Sequence, residues 1–251
     1  MRKIALITGA TSGIGEACAV AFATGGYDII ITGRRADRLD ALAARLAEAG
    51  VRVFPLPFDV CDRNAAKEAL DRLPSDWRDI DVLVNNAGLA LGLEPAQEGD
   101  FNDWDTMIDT NIKGLLTMTR FIVPEMVKRN RGTVINIGSV AGDAAYANGN
   151  VYCATKAAVK TFTDGLRIDL AATDIRVCNI KPGLVQTCFS NVRFHGDDKR
   201  ADDVYKGIDP LTGSDIADVA LYVANAPKHV QIAEVLVLAS HQGSGSVIVR
   251  D

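Results

Sequence analysis

Tyr152 and Lys156 stand four residues apart in a helix-compatible stretch, so both side chains project from one helix face. A phenol with a pKa of about 10 is a sluggish base at neutral pH, but a neighbouring ammonium favours the phenolate. The pair reads as a proton donor and acceptor for an alcohol or carbonyl oxygen. Taken alone it is weak evidence, because Tyr and Lys meet at this spacing by chance.

A second feature lies near the start of the chain. The apolar run Ile4-Ala5-Leu6-Ile7 leads into Thr8-Gly9-Ala10-Thr11-Ser12-Gly13-Ile14-Gly15 and then a helix-compatible stretch. Glycines permit a tight turn and close backbone approach, and a helix N-terminus presents free N–H groups to an anion, here a dinucleotide pyrophosphate. Gly9, Thr11, Ser12, Gly13, Ile14 and Gly15 are therefore candidate cofactor residues, although the spacing G-x-x-x-G-x-G departs from the standard G-x-G-x-x-G. Roughly 20 residues further on, where an NAD enzyme usually carries an acid for the ribose 2′-hydroxyl, the chain has Gly33-Arg34-Arg35. Two guanidinium groups there suit a 2′-phosphate, which points to NADP rather than NAD.

These residues need a scaffold, and the hydrophobic pattern supplies one. Strands are predicted at 3–8, 28–32, 51–57, 82–85, 133–138, 176–181 and 235–238, alternating with helical stretches. Leu39, Leu42 and Leu46 share one helix face, as do Val159, Phe162, Leu166 and Leu170. Seven strands alternating with helices fit one doubly wound parallel α/β sheet, and no linker marks a domain boundary, so residues 1–251 read as a single domain. The interval from Val185 to about residue 209 lacks periodicity and reads as an extended loop or a pair of small helices, a common form of active-site lid.

Composition narrows the classes. Hydrophobic residues at 48% and charged residues at 24% exclude a disordered chain, and a net charge of −5 without charge blocks offers nothing to nucleic acid or an anionic membrane. The first apolar run ends after four residues, too soon for a signal peptide, and no stretch is long enough to span a bilayer. Five scattered cysteines fit reduced thiols better than a disulfide framework, so a cytoplasmic location is expected. No Cys or His spacing suggests a metal.

Several independent motifs occur together in one order: Thr8-Gly9-x-x-x-Gly13-x-Gly15, Asn85-Asn86-Ala87-Gly88, Asn111, Ser139, Tyr152-x-x-x-Lys156 and Pro182-Gly183. In these the chain resembles the short-chain dehydrogenase/reductase family over nearly its whole length. The resemblance implies a Rossmann-like sheet ordered 3-2-1-4-5-6-7 and a catalytic set of Asn111, Ser139, Tyr152 and Lys156. It implies that Tyr152 exchanges the proton, Ser139 bonds the same oxygen, and Lys156 lowers the Tyr152 pKa and bonds the nicotinamide ribose. Asn111 positions a water that links Lys156 to solvent. By the same resemblance Asp59 and Val60 flank the adenine, Asn86 meets a ribose, and Pro182, Gly183, Val185 and Thr187 complete the cofactor site. Paired helices at 103–128 and 151–172 imply a homotetramer.

Within the family the chain is similar to a branch of NADP-dependent 3-hydroxy acid dehydrogenases acting on serine, allo-threonine or malonic semialdehyde. The similarity rests on the stretches 86–92, Tyr146-x-x-Gly149-Asn150-Val151-Tyr152 and 189–198. Ser139, Tyr146, Tyr152 and Arg193 are then the expected substrate residues, with the Arg193 guanidinium receiving the carboxylate of a short hydroxy acid such as serine, allo-threonine or 3-hydroxypropionate. A sulfonate fits a guanidinium equally, which leaves sulfoacetaldehyde reduction open. The tail 240–251 lacks the Asp-Gly-Gly ending common among 3-oxoacyl carrier-protein reductases, which disfavours a 3-oxoacyl thioester substrate. A non-catalytic NADP-binding redox sensor is the remaining alternative, and such proteins usually lack a member of the Tyr-Lys-Ser constellation.

Overall fold

The computed structural model describes residues 2–251. Short aliphatic runs form the strands β1 (Ile4–Ile7), β2 (Asp28–Gly33), β3 (Val53–Pro57), β4 (Ile80–Asn85), β5 (Gly132–Ile137), β6 (Ile175–Pro182) and β7 (Glu234–Val237). They form one parallel sheet in the order β3-β2-β1-β4-β5-β6-β7. Strand ends differ from the predicted ones by at most two residues. Between the strands run α1 (Gly13–Thr24), α2 (Ala36–Ala47), α3 (Arg63–Asp71), α4 (Phe101–Ile108), α5 (Leu115–Arg129), α6 (Asn150–Asp169), α7 (Phe189–Arg193), α8 (Asp198–Asp203) and α9 (Gly213–Asn225).

The central strand β1 shows why both faces of the sheet must be covered. Its Ala5 and Ile7 belong to one core with Phe22 of α1, Leu39 of α2 and Ile216 of α9. Its Ile4 and Leu6 belong to a second core with Ala66 of α3, Met118 of α5 and Leu170 just beyond α6. Leu39, Leu42 and Leu46 are all buried, as their spacing predicts, and each contributes roughly 2 kcal/mol of apolar burial. Of the four apolar positions predicted to share a face on α6, Val159 and the flanking Leu170 are buried, whereas Phe162 and Leu166 are partly exposed.

Two stretches depart from simple periodicity. The helix expected at 103–128 is interrupted, because a π-helical turn, Asp109–Gly114, separates α4 from α5. Gly114 in that turn abuts Val60, where a Cβ would lie 2.7 Å from Val60 Cγ2. The interval 185–209 holds the two short helices α7 and α8, joined through His195 (φ 52°) and Gly196 (φ 88°). The tail folds back on itself, with Val249 N–H donating to the His241 carbonyl, and Arg250 donates to the Val204 carbonyl. Among the described residues no helix is long and apolar enough to cross a membrane.

Candidate active site

In an open parallel sheet the strand order reverses at one point, here between β1 and β4, and the crevice at the carboxyl ends there is the natural ligand site. The turn after β1 is shaped by close backbone approach. Gly9 (φ 65°) lies where a Cβ would be 2.9 Å from Ala87 Cα, and at Gly13 (φ 59°) a Cβ would be 3.2 Å from Thr187 Cβ. An L side chain at either position is strained by its dihedral as well as by contact. Asn86 Nδ2 donates to the Thr8 carbonyl at 2.8 Å and the Gly9 carbonyl at 3.2 Å. The Thr8 hydroxyl accepts from the N–H groups of Asn86 and Ala87, each at 3.0 Å. The Asn86 amide thus fixes the glycine turn, a role its motif does not reveal.

A cleft of about 760 Å³ opens in front of this turn. It brings together every predicted cofactor residue except Gly15, which lies beneath it, and every predicted substrate residue. Asn111 also lies behind the wall. Its Oδ1 accepts from Leu89 N–H at 2.8 Å, while Nδ2 donates to the Leu89 carbonyl at 2.8 Å and to Thr155 Oγ1 at 3.0 Å. The buried amide of the π-helical turn therefore ties the loop after β4 to α6.

One end of the cleft is cationic. Arg34 and Arg35 are exposed just past β2; Arg35 Nη2 donates to Thr11 Oγ1 at 2.7 Å, and Arg34 Nη1 lies 4.0 Å from Asp59 Oδ2. The glycine cradle, the cleft volume and this guanidinium pair fit a phosphorylated dinucleotide.

The other end gathers the reactive groups. Ser139, just past β5, accepts a hydrogen bond from Ala141 N–H at 3.1 Å and so caps a 3-10 turn, Val140–Gly142. Tyr152 on α6 packs edge-on against Phe189 of α7, their ring centres 5.6 Å apart. The Arg193 guanidinium lies 5.8 Å from the Tyr152 ring centre and donates from Nη1 to the Tyr146 hydroxyl at 2.9 Å. Arg193 also donates from Nε to the Gly92 carbonyl at 3.0 Å, joining α7 to the loop after β4. His195 Nε2 lies 3.1 Å from Asp103 Oδ2 and makes a second tie to α4.

Lys156 is buried and donates to the Ile137 carbonyl at 2.9 Å, with its Nζ 5.9 Å from the Tyr152 ring centre. Burial raises the Tyr152 phenol above its ordinary value, with the neighbouring Tyr146 adding to the rise and a Ser139 hydrogen bond opposing it. As the side chains stand, burial is the largest influence on this phenol, and Ser139 and Arg193 are the groups that oppose it. Burial also lowers Lys156 to about 8.

Burial of Lys156 makes the stability of the fold depend on pH. Below pH of about 8 the ammonium is charged in both folded and unfolded chains, and its burial opposes folding. Between about 8 and the ordinary 10.5, the folded chain has released the proton and the unfolded chain has not, so stability rises with pH across that window. Lys156→Met is expected to raise stability at pH 7 by up to about 3 kcal/mol and to flatten that rise. Denaturant unfolding at several pH values checks this, and a variant with the wild-type slope contradicts it.

Sequence reasoning missed several wall residues. Phe189, Gln242, Ile248 and Arg250 all line the cleft. Gln242 Oε1 accepts from Leu184 N–H at 2.9 Å, directly after Pro182-Gly183. The fold-back of the tail brings Gln242, Ile248 and Arg250 near, with no local spacing to signal it, whereas Phe189 comes from α7.

A family model described as short chain dehydrogenase matches residues 3–197. The NADP-dependent 3-hydroxy acid dehydrogenase YdfG of Salmonella typhimurium is 51% identical over 248 residues, 98% of this chain and 99% of the relative. The serine 3-dehydrogenase of Agrobacterium fabrum is 47% identical over 247 residues, 98% of each chain. A solved structure of the closed form of serine dehydrogenase complexed with NADP+ superposes with a TM-score of 0.94 at 47% identity, covering 99% of both chains.

Proposed function

The chain belongs to the short-chain dehydrogenase family, and from that membership we propose that it is an NADP-dependent dehydrogenase interconverting a short 3-hydroxy acid and its carbonyl form. The observation that carries the reading is the shared cleft: Tyr152, Ser139 and the Arg193–Tyr146 pair at one end, the Arg34–Arg35 pair at the other. Relatives at 47–51% identity named for 3-hydroxy acids and for serine support it.

NADP, when bound, supplies the hydride chemistry. The turn Gly9 to Gly15 and the segment from Pro182 to Thr187 would hold it, with Arg34 and Arg35 at the 2′-phosphate. Tyr152 exchanges a proton with the substrate oxygen, and its phenol, protonated at neutral pH, is placed to donate during carbonyl reduction. Ser139 hydrogen-bonds the same oxygen as charge develops there. Lys156 orients the nicotinamide ribose, and Asn111 keeps the π-helical turn against α6.

Arg193 selects an anionic substrate. Serine, allo-threonine and 3-hydroxypropionate each offer it a carboxylate, and the segment 185–209 serves as the lid that carries it. Sulfoacetaldehyde reduction is a second reading, favoured by the same guanidinium, because a planar cation accepts a sulfonate as well. Arg193→Ala is expected to lower kcat/KM for such anions about 10- to 100-fold, leaving NADPH binding unchanged. Unaltered kinetics with both serine and sulfoacetaldehyde would place the anchor elsewhere. A cytoplasmic location and a homotetramer complete the proposal, the latter supported by exposed apolar side chains on the helices expected to pair, Val127 of α5 and Ile168 of α6.

A further inference from the structure

Asp143 stands immediately beyond the turn that Ser139 caps, and it joins that turn to two other elements. Its Oδ1 accepts from Lys160 Nζ of α6 at 2.7 Å, and its Oδ2 accepts from Lys181 Nζ of β6 at 2.6 Å. The Lys181 side chain is only 6% exposed and also pairs with Glu234 of β7. Burial works against the Asp143 charge, but the two ammonium groups together hold its carboxyl below the ordinary carboxylate range.

The turn itself leaves little slack. Gly142 rests on α6 at Lys156, where a Cβ would lie 2.6 Å from the Lys156 carbonyl oxygen. Its remaining hydrogen bonds are local: Gly142 N–H donates to the Ser139 carbonyl and Asp143 N–H to the Val140 carbonyl. Lys160 is one helical turn beyond Lys156, and Lys181 directly precedes Pro182-Gly183. One carboxylate therefore links the Ser139 turn, the helix carrying Tyr152 and Lys156, and the strand leading to the cofactor segment.

We propose that Asp143 is a positioning residue that holds the Ser139 hydroxyl in register with the Tyr152 hydroxyl by clamping the 139–143 turn to α6 through Lys160 and to β6 through Lys181. It touches no reacting atom. A paired, two-sided carboxylate suits this task because its geometry fixes two directions at once, and small displacements of a hydrogen-bonding group weaken catalysis sharply.

The proposal rests on the catalytic roles given above for Ser139 and Tyr152. The test combines turnover of a short 3-hydroxy acid with NADP, NADPH binding by fluorescence titration, and amide hydrogen exchange. Asp143→Asn keeps the shape but loses the charge; it is expected to lower kcat about 10- to 100-fold, to leave the NADPH dissociation constant unchanged, and to speed exchange at 139–147 but not in β1 or α1. Asp143→Glu should restore most of kcat. Lys160→Met, at a partly exposed site, removes one clamp without threatening the fold and should give a smaller loss of the same kind. Wild-type kcat in both Asp143→Asn and Lys160→Met overturns the proposal, as does a loss of kcat matched by an equal loss of NADPH affinity. If the wild-type chain turns over no hydroxy acid, the functional reading fails separately; exchange then decides alone, and unchanged protection at 139–147 in Asp143→Asn overturns the clamp.

Discussion

Tyr152→Phe should reduce turnover by about 10²- to 10⁴-fold while NADPH binds as before. The substitution removes one oxygen and nothing else. The ring keeps its edge-on packing against Phe189 and its place beside Arg193, so the cleft retains its shape. The neighbouring groups are poorly suited to take over, and the Tyr146 hydroxyl is engaged by Arg193. Ser139 is a poor acid, and Lys156 Nζ is held on the Ile137 carbonyl. Fluorescence titration of NADPH beside steady-state kinetics separates binding from chemistry, and substantial residual turnover would move the proton transfer to another residue.

Replacing Arg34 and Arg35 together with Ala is expected to raise KM for NADPH about 100-fold and to leave KM for NADH nearly unchanged. Each guanidinium stands to gain a charge-assisted contact with a 2′-phosphate, and both are exposed enough that solvent screening trims the effect. Their present partners are modest. Arg34 lies 4.0 Å from Asp59, a distance at which an ion pair is weak, and Arg35 bonds the neutral Thr11 hydroxyl. Neither interaction is lost at great cost to the fold, so the substitution reports on the cofactor. Equal losses with NADPH and NADH would mean that the arginines shape the rim and do not read the phosphate.

Much of this arrangement is legible in the sequence because its signals are local. Ile29, Ile30 and Ile31 in succession mark a strand buried on both faces, and Leu39, Leu42 and Leu46 mark the helix beside it. The glycine turn is legible for the same reason, since Gly9 and Gly13 adopt left-handed backbone that favours glycine. Contacts between distant parts of the chain carry no such mark. Arg193 meets Gly92 across 101 residues, and Asp143 meets Lys181 across 38. The π-helical turn follows from Asn111 reaching Leu89 and Thr155, which periodicity cannot foresee. The Tyr152 phenol shows the limit most clearly: the spacing places an ammonium on the same helix face but says nothing of the burial that raises the phenol.

With NADP bound, a carbinol hydride of a short hydroxy acid would pass to it in the cleft beside Tyr152. Incubation of the wild-type chain with NADP and serine deuterated at carbon 3, followed by mass spectrometry of the NADPH formed, tests it most directly. One deuterium in each NADPH is the predicted result. NADPH that forms without label contradicts the claim, and so does a failure to form NADPH from serine, allo-threonine or 3-hydroxypropionate.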